Sequence, residues 1–195
     1  MPLSVEGGRG AAAVVVDLED QRGVRGLEQY RDLRVGAGVL ERVGEGLLAD
    51  AVDGVSDADR QRARADIRAL SGMLEMVRDD NIIGPDQPER LTLLWLLAKL
   101  GVYGHNLDME GGFQRANDNF AAALQLVPAT EKRQRAALLA DYGRFLTSAI
   151  REKQGEKYLR EAVQLNPQLA FALAENLVVQ GKKKEALAVL ADYLK

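Results

Sequence analysis

The side chains that most often carry out chemistry in proteins are sparse in this 195-residue chain. It contains one histidine, His105, and no cysteine, which excludes disulfides, thiolate metal sites and cysteine nucleophiles. A histidine cluster for zinc is therefore impossible, and a base-activated nucleophile would depend on His105 alone. The acidic residues grouped at 17–20 and 57–59 are typical of helix starts, where negative charge opposes the macrodipole. We expect no catalytic residue, no metal site and no enzymatic activity.

Glycine-rich phosphate loops would be a second kind of chemistry, because they bind nucleotide cofactors. The chain contains no G-x-x-x-x-G-K-[ST] sequence, and the stretch Gly36-Ala37-Gly38 lacks both a preceding strand and a correctly placed third glycine. We therefore expect no cofactor. The chemistry that remains is the noncovalent binding of another molecule.

Charge and hydropathy narrow the classes of partner. The formal net charge is -3, with an acidic first half and with all eight lysines from Lys99 onward. Neither half has the clustered basic residues that nucleic acid requires. The longest apolar run, within Leu91 to Leu100, is far shorter than the roughly 20 residues of a membrane-spanning helix. We expect a cytoplasmic protein with no nucleic-acid partner and no integral membrane segment, or a periplasmic one if a signal or lipoprotein leader has been removed.

The first part of the chain is predicted to be an arm followed by helices. Residues 1–16 lack helical periodicity and are predicted to be a flexible N-terminal arm. Residues 17–80 are predicted to form N-terminal helices, as a degenerate helical hairpin or cap. One of these helices is expected around 35–55, where Gly36, Gly38, Gly44 and Gly46 interrupt an apolar stripe and would allow another helix to approach closely.

A further helix start is marked by Ser56. Ser56 followed by Asp59 is typical of a capping box, in which side-chain oxygens accept from backbone N–H groups at the helix start. The helix should begin near Asp57 and end by Asp79 or Asp80, because a loop with Gly84-Pro85 follows.

An internal repeat occupies the second half of the chain. Seven positions recur 39 residues later with the same spacing: Leu100, Tyr103, Gly104, Leu107, Ala116, Phe120 and Pro128 correspond to Leu139, Tyr142, Gly143, Leu146, Gly155, Leu159 and Pro167. A shortened third copy includes Ala170, Ala174, Ala186 and Leu190. Breaks between helices are predicted at Gly111-Gly112, at 128–130, at 153–155, at Asn166-Pro167 and at Gly181.

The first copy reads L-x-x-Y-G-x-x-L, A-x-x-x-F and P, which resembles the tetratricopeptide repeat family. The resemblance covers about 89–195, with repeats at about 97–130, 136–169 and 167–195. It implies an all-α fold, an α-solenoid of antiparallel helix pairs wound as a right-handed superhelix, to which the N-terminal helices are added. Within each pair small residues would allow close approach, and Gly155, where the family has alanine, would weaken its helix.

The resemblance also implies a concave groove, lined by first-helix residues that lie outside the packing signature. Carried over residue by residue, the groove consists of His105, Asp108, Met109, Asp141, Arg144, Thr147, Ser148, Phe171, Glu175 and Val178. These residues are mixed in charge and lack the lysines and asparagines with which one subtype of the family clamps a carboxylate.

Two functions are therefore expected. The first is a non-enzymatic adaptor that binds a peptide or helix of another protein in the groove. The alternative is a self-associating scaffold in a bacterial assembly, for which an envelope-associated assembly is one option. Its homo-oligomer contacts would come from the glycine-containing helix at 35–55 or from the apolar side of the C-terminal helix, formed by Leu187, Leu190 and Leu194.

Overall fold

The structure, a computed structural model, describes residues 56–194. The predicted arm at 1–16 and the predicted helix at 35–55 lie outside the described residues. Within 56–194 the regular elements are helices, and no β-strand occurs in this range. The helices are α1 (Asp57–Asp79), α2 (Glu89–Asn106), α3 (Gly112–Leu126), α4 (Lys132–Ser148), α5 (Glu152–Leu165), α6 (Ala170–Val179) and α7 (Lys183–Tyr193), with a short 3-10 turn at Pro167–Leu169 before α6.

Helix α1 begins and ends where the sequence predicts. The backbone N–H of Asp59 donates to Ser56 Oγ at 3.2 Å, and the Ser56 hydroxyl donates to the Asp59 carboxylate at 2.6 Å. Serine at this position satisfies one of the N–H groups that a helix start leaves without an intrahelical partner. The predicted start near Asp57 and the predicted end at Asp79 are both confirmed.

Helix α1 packs against α2 through its apolar stripe. Ile67 is fully buried in a cluster with Leu96 and Leu100 of α2. Two polar contacts add to this cluster, since Arg64 Nε donates to the Leu107 carbonyl at 2.9 Å and Arg115 Nε of α3 lies 3.1 Å from Glu75 Oε1. Helix α1 is therefore anchored to both α2 and α3.

The other six helices pack as three consecutive hairpins, α2 with α3, α4 with α5, and α6 with α7. We call α2, α4 and α6 the first helices and α3, α5 and α7 the second helices. In the first hairpin a Cβ on Gly101 would lie 2.4 Å from the Ala116 backbone nitrogen. In the second, a Cβ on Gly155 would lie 2.6 Å from the Gly143 carbonyl oxygen. Backbone contact at these distances is possible only because glycine has no side chain.

One predicted break is wrong. The sequence predicts a break at 153–155, but α5 begins at Glu152 and Gly155 lies inside it. The chain turns instead at 149–151, where Ile150 has a positive φ of 59°. Gly155 permits the close crossing with α4 rather than ending a helix, which is why its presence did not mark the loop.

A polar network joins the second hairpin to the third. Glu156 of α5 accepts hydrogen bonds from Lys182 Nζ, from Gln180 Nε2 and from Arg160 Nε, each at 2.8 Å. The pKa of Glu156 is lowered to about 2, chiefly by the hydrogen bond from Lys182 and also by those from Gln180 and Arg160, against the opposing effect of burial. Glu156 is therefore ionised at neutral pH and links α5 to the segment between α6 and α7.

Candidate partner-binding site

Helices α2 and α4 are joined through Trp95, Lys99 and Asp141. The Trp95 indole N–H donates a 2.9 Å hydrogen bond to Asp141 Oδ2, and Lys99 Nζ lies 3.7 Å from the same oxygen. The Lys99 ammonium also lies 5.5 Å from the centre of the Trp95 ring, which is a cation–π distance. The predicted groove residue Asp141 is thus brought against a tryptophan and a lysine of the neighbouring first helix.

Trp95 and Lys99 are site residues that sequence reasoning missed. With Tyr103 they recur every four residues on α2 and so share one face of that helix. Burial raises the pKa of the Tyr103 hydroxyl, and the nearby Asp141 charge raises it further. A signal was available in the sequence, because the only tryptophan of the chain lies one helical turn before a lysine.

Helix α4 continues the exposed surface that Trp95 and Lys99 form on α2. Asp141, Arg144 and Ser148 follow one another at intervals of three and four residues and therefore share a face. Arg144 and Ser148 are exposed, and the Ser148 hydroxyl donates to the Phe145 carbonyl at 2.9 Å. Together with Lys99 these residues form a strip with two cations, one carboxylate and one indole ring, which we call the first-helix strip (Trp95, Lys99, Asp141, Arg144 and Ser148).

His105 lies among aromatic rings. Its imidazole meets the Phe113 ring and the Phe145 ring edge-on, with ring centroids 5.8 Å apart in both cases. The Arg151 guanidinium lies 4.5 Å from the centre of the Phe113 ring. The only histidine of the chain is therefore half-buried in a cluster that joins α2, α3 and α4, and it contributes packing there.

Asp108 and Met109 lie beyond the end of α2, which stops at Asn106. Asp108 is exposed, has a positive φ of 54°, and its backbone N–H donates to the His105 carbonyl at 3.0 Å. Met109 packs against the apolar cluster of Ile67, on the α1 side of α2. Neither residue continues the first-helix strip.

Thr147 is engaged within the fold. Its hydroxyl donates to the Gly143 carbonyl at 2.8 Å and accepts from Asn176 Nδ2 at 2.7 Å. Asn176 of α6 is fully buried and also donates to the Glu152 carbonyl at 2.9 Å. Sequence reasoning missed Asn176, although an uncharged polar residue in a mostly apolar helix is a signal for a buried hydrogen-bonded position.

The three predicted groove residues of α6 are all exposed. Phe171, Glu175 and Val178 recur at intervals of four and three, so they share one face of the helix. Phe171 is 55% exposed and Val178 51% exposed, and the Phe171 ring meets the Tyr193 ring edge-on at 5.8 Å. This face is apolar with one carboxylate, unlike the polar first-helix strip.

Apart from the first-helix strip, an open cleft of about 690 Å³ lies between α1 and α3. Its lining includes Glu75, Arg78, Arg90 and Arg115. These charges are already engaged, since Arg115 pairs with Glu75 and Arg90 donates to the backbone carbonyls of Arg78 and Ile83 at 2.9 and 3.1 Å. Arg78 pairs with the neighbouring Asp79. The charges of this open cleft thus serve to hold the α1–α2 connection in place.

Neither a metal site nor a membrane span is found in the described part of the chain. Among residues 56–194, no three His, Cys, Asp or Glu side chains are grouped so that they could hold a metal ion. No helix in the same range is long and apolar enough to cross a membrane.

Comparisons with protein-family models, with curated proteins and with solved structures find no match for this chain.

Proposed function

We propose that the protein is a non-enzymatic, cytoplasmic adaptor, in which the three hairpins form a tetratricopeptide-like solenoid and the first helices bind a peptide segment or helix of another protein. The observation that carries the proposal is the first-helix strip. It spans two hairpins, it remains partly exposed, and its chemistry is that of a recognition surface. Tryptophan and arginine are the residue types most enriched at the centres of protein interfaces.

The strip favours a ligand with an acidic residue close to an apolar one. Lys99 and Arg144 would pair with the acidic group, while the Trp95 ring offers an apolar surface beside them. Asp141 is already engaged by Trp95 and Lys99, so it orients these two side chains for the ligand. Interactions of this kind orient a partner and raise its association rate as well as its affinity.

A peptide-display selection against the full chain tests this function. Peptides enriched on the wild type are expected to lose about tenfold or more in affinity for Lys99→Glu/Arg144→Glu, because each substitution reverses a charge that faces the ligand. The matched control is Lys153→Glu/Lys157→Glu, which reverses two exposed charges on the second helix α5. This control is expected to retain wild-type affinity.

The enriched peptides should also be rich in Asp or Glu next to an apolar residue. Circular dichroism melts of both double variants establish that they are folded. The proposal is contradicted if no peptide is enriched, or if the α5 control loses as much affinity as the strip variant.

A further inference from the structure

The exposed apolar side chains of the described region are concentrated on the last hairpin. Six of the ten large apolar residues that are exposed in residues 56–194 lie on α6 or α7 or directly after α7. They are Phe171, Val178, Val179, Leu187, Tyr193 and Leu194. Large exposed apolar patches are uncommon on soluble domains and mark sites of association.

Six residues of this hairpin form one surface, which we call the end face. Phe171, Glu175 and Val178 share a face of α6, and Lys183, Leu187 and Leu194 share a face of α7, at intervals of four and seven residues. Glu185 lies on the other side of α7, where it accepts from Arg160 of α5 at 3.1 Å. The end face therefore points away from the second hairpin.

Corresponding positions in the second hairpin are covered by the third hairpin. Val178 corresponds in the repeat to Thr147, whose hydroxyl accepts from Asn176 of α6 at 2.7 Å. Lys183 corresponds to Glu152, whose carbonyl accepts from the same Asn176 at 2.9 Å. In the second hairpin these positions are therefore contact points for the hairpin that follows.

Two further end-face positions also correspond to residues of the second hairpin that contact the third hairpin. Leu187 corresponds to Glu156, which accepts from Lys182 of the third hairpin at 2.8 Å. Leu194 corresponds to Val163, which packs in the apolar cluster that includes α6, whereas Leu194 itself is 79% exposed. Four of the six end-face positions, those of Val178, Lys183, Leu187 and Leu194, thus correspond to positions that contact another hairpin, whereas Glu175 corresponds to the exposed Arg144.

We propose that the end face binds the end face of a second copy of this chain, forming a two-fold symmetric homodimer. The surface is self-complementary in charge, because it carries a carboxylate on α6, Glu175, and an ammonium on α7, Lys183. Both side chains are exposed. An isologous interface requires this kind of pairing, because each contact between one residue and a second residue of the other copy occurs twice, once on each side of the two-fold axis.

A two-fold axis that runs along the two helices sets α6 of one copy against α7 of the other. In this arrangement Glu175 of each copy approaches Lys183 of its partner copy, and Phe171 approaches Leu194. Burial of apolar surface is the dominant favourable term in most protein association, so the apolar contacts provide most of the affinity. This surface is distinct from the first-helix strip, so the dimer leaves Lys99 and Arg144 available to a peptide.

The oligomeric state of the full chain tests the apolar contacts. Sedimentation equilibrium at tens of micromolar is expected to give a dimer for the wild type and a monomer for Val178→Glu/Leu194→Glu. The matched control Met76→Glu/Ile150→Glu changes two residues that are 62% and 82% exposed outside the end face, and it is expected to remain a dimer.

A charge exchange tests the pairing itself. Glu175→Lys and Lys183→Glu are each expected to raise the dimer dissociation constant about tenfold, because each places like charges against each other. The double variant Glu175→Lys/Lys183→Glu restores opposite charges and is expected to return to the wild-type constant. Nonspecific association through the exposed apolar side chains would show no such restoration.

Three results would overturn the proposal. They are a monomeric wild type, which would leave the end face to a different protein; a dimer that survives Val178→Glu/Leu194→Glu, which would assign association to another surface; and a charge exchange that weakens the dimer further. Circular dichroism melts of every variant separate a lost interface from a lost fold.

Discussion

The second and third hairpins have related sequences but different surroundings. The second hairpin is held on both sides, by the bond from Trp95 to Asp141 on one and by the bond from Asn176 to Thr147 on the other. The third hairpin is held on one side, and its opposite surface exposes Phe171 and Leu194. Equivalent positions of the second and third hairpins therefore have different surroundings.

The crossings of the two hairpins differ as well. The second hairpin has glycine on both helices, at 143 and 155, whereas the third has Ala174 and Ala186 at the corresponding positions. Both alanines are buried. In the second hairpin, backbone atoms of α4 therefore already occupy the space that a methyl group at position 155 would need.

The largest effect is expected from Gly155→Ala, which gives the second hairpin the residue of the third. The new Cβ would lie 2.6 Å from the Gly143 carbonyl oxygen and 2.8 Å from Thr147 Oγ1, so the helices must separate. We expect a loss of about 3 kcal/mol in the free energy of unfolding, measured by urea denaturation.

Gly72→Ala is the control for this substitution. Gly72 lies within α1, and a Cβ at this position would have no neighbouring atom within 4 Å outside the local helix backbone. Alanine has the higher helix propensity, so this variant is expected to gain about 0.5–1 kcal/mol. Equal effects of the two substitutions would contradict the close crossing of the second hairpin.

A smaller loss is expected from Asn176→Leu, which removes one buried polar contact between the second and third hairpins. The Glu152 carbonyl would lose its buried donor and Thr147 would lose one partner, which costs about 2 kcal/mol. The control is Asn119→Leu. Asn119 is also buried, but its amide donates to the Arg115 carbonyl of its own helix, so a much smaller loss in the urea midpoint is expected.

The smallest effect is expected from Glu156→Gln and depends on pH. The pKa of Glu156 is lowered from 4.5 to about 2, so its contribution to stability is complete above about pH 4.5 and is lost as the pH falls towards 2. We expect this substitution to lower the free energy of unfolding by only about 1 kcal/mol at pH 7, because solvent screens the attraction of Glu156 to Arg160 and Lys182.

The free energies of unfolding of this variant and of the wild type should therefore converge near pH 2. Glu161→Gln removes a partly exposed pair with Arg135 and is the control. A difference between Glu156→Gln and the wild type that persists unchanged to pH 2 would contradict the role of the ionised carboxylate.

Much of the helical structure could be predicted from the sequence. The start of α1 follows from Ser56, and the helix boundaries near Pro128, Pro167 and Gly181 follow from residues that cannot continue a helix or that adopt positive φ. Local signals of this kind need no tertiary information. The boundary at 149–151 was missed because Ile150 carries no turn signal, while nearby Gly155 carries a misleading one.

The site could be predicted only in part. The family resemblance assigns Arg144 and Ser148 to the groove, and both are exposed on α4. It did not reveal that Thr147 would be engaged by Asn176, since that contact joins residues 29 positions apart. Nor did it reveal that Asp141 would meet Trp95, 46 positions earlier in the chain.

Local sequence is enough to say where helices form and which residues permit them to cross, because these properties depend on neighbours a few positions away. Which copies of a repeated position are covered depends instead on the tertiary structure. Val163 packs against a following hairpin, and its counterpart Leu194 is exposed. Burial is a property of the surroundings, so related side chains acquire different roles when one packs against a neighbouring hairpin and the other does not.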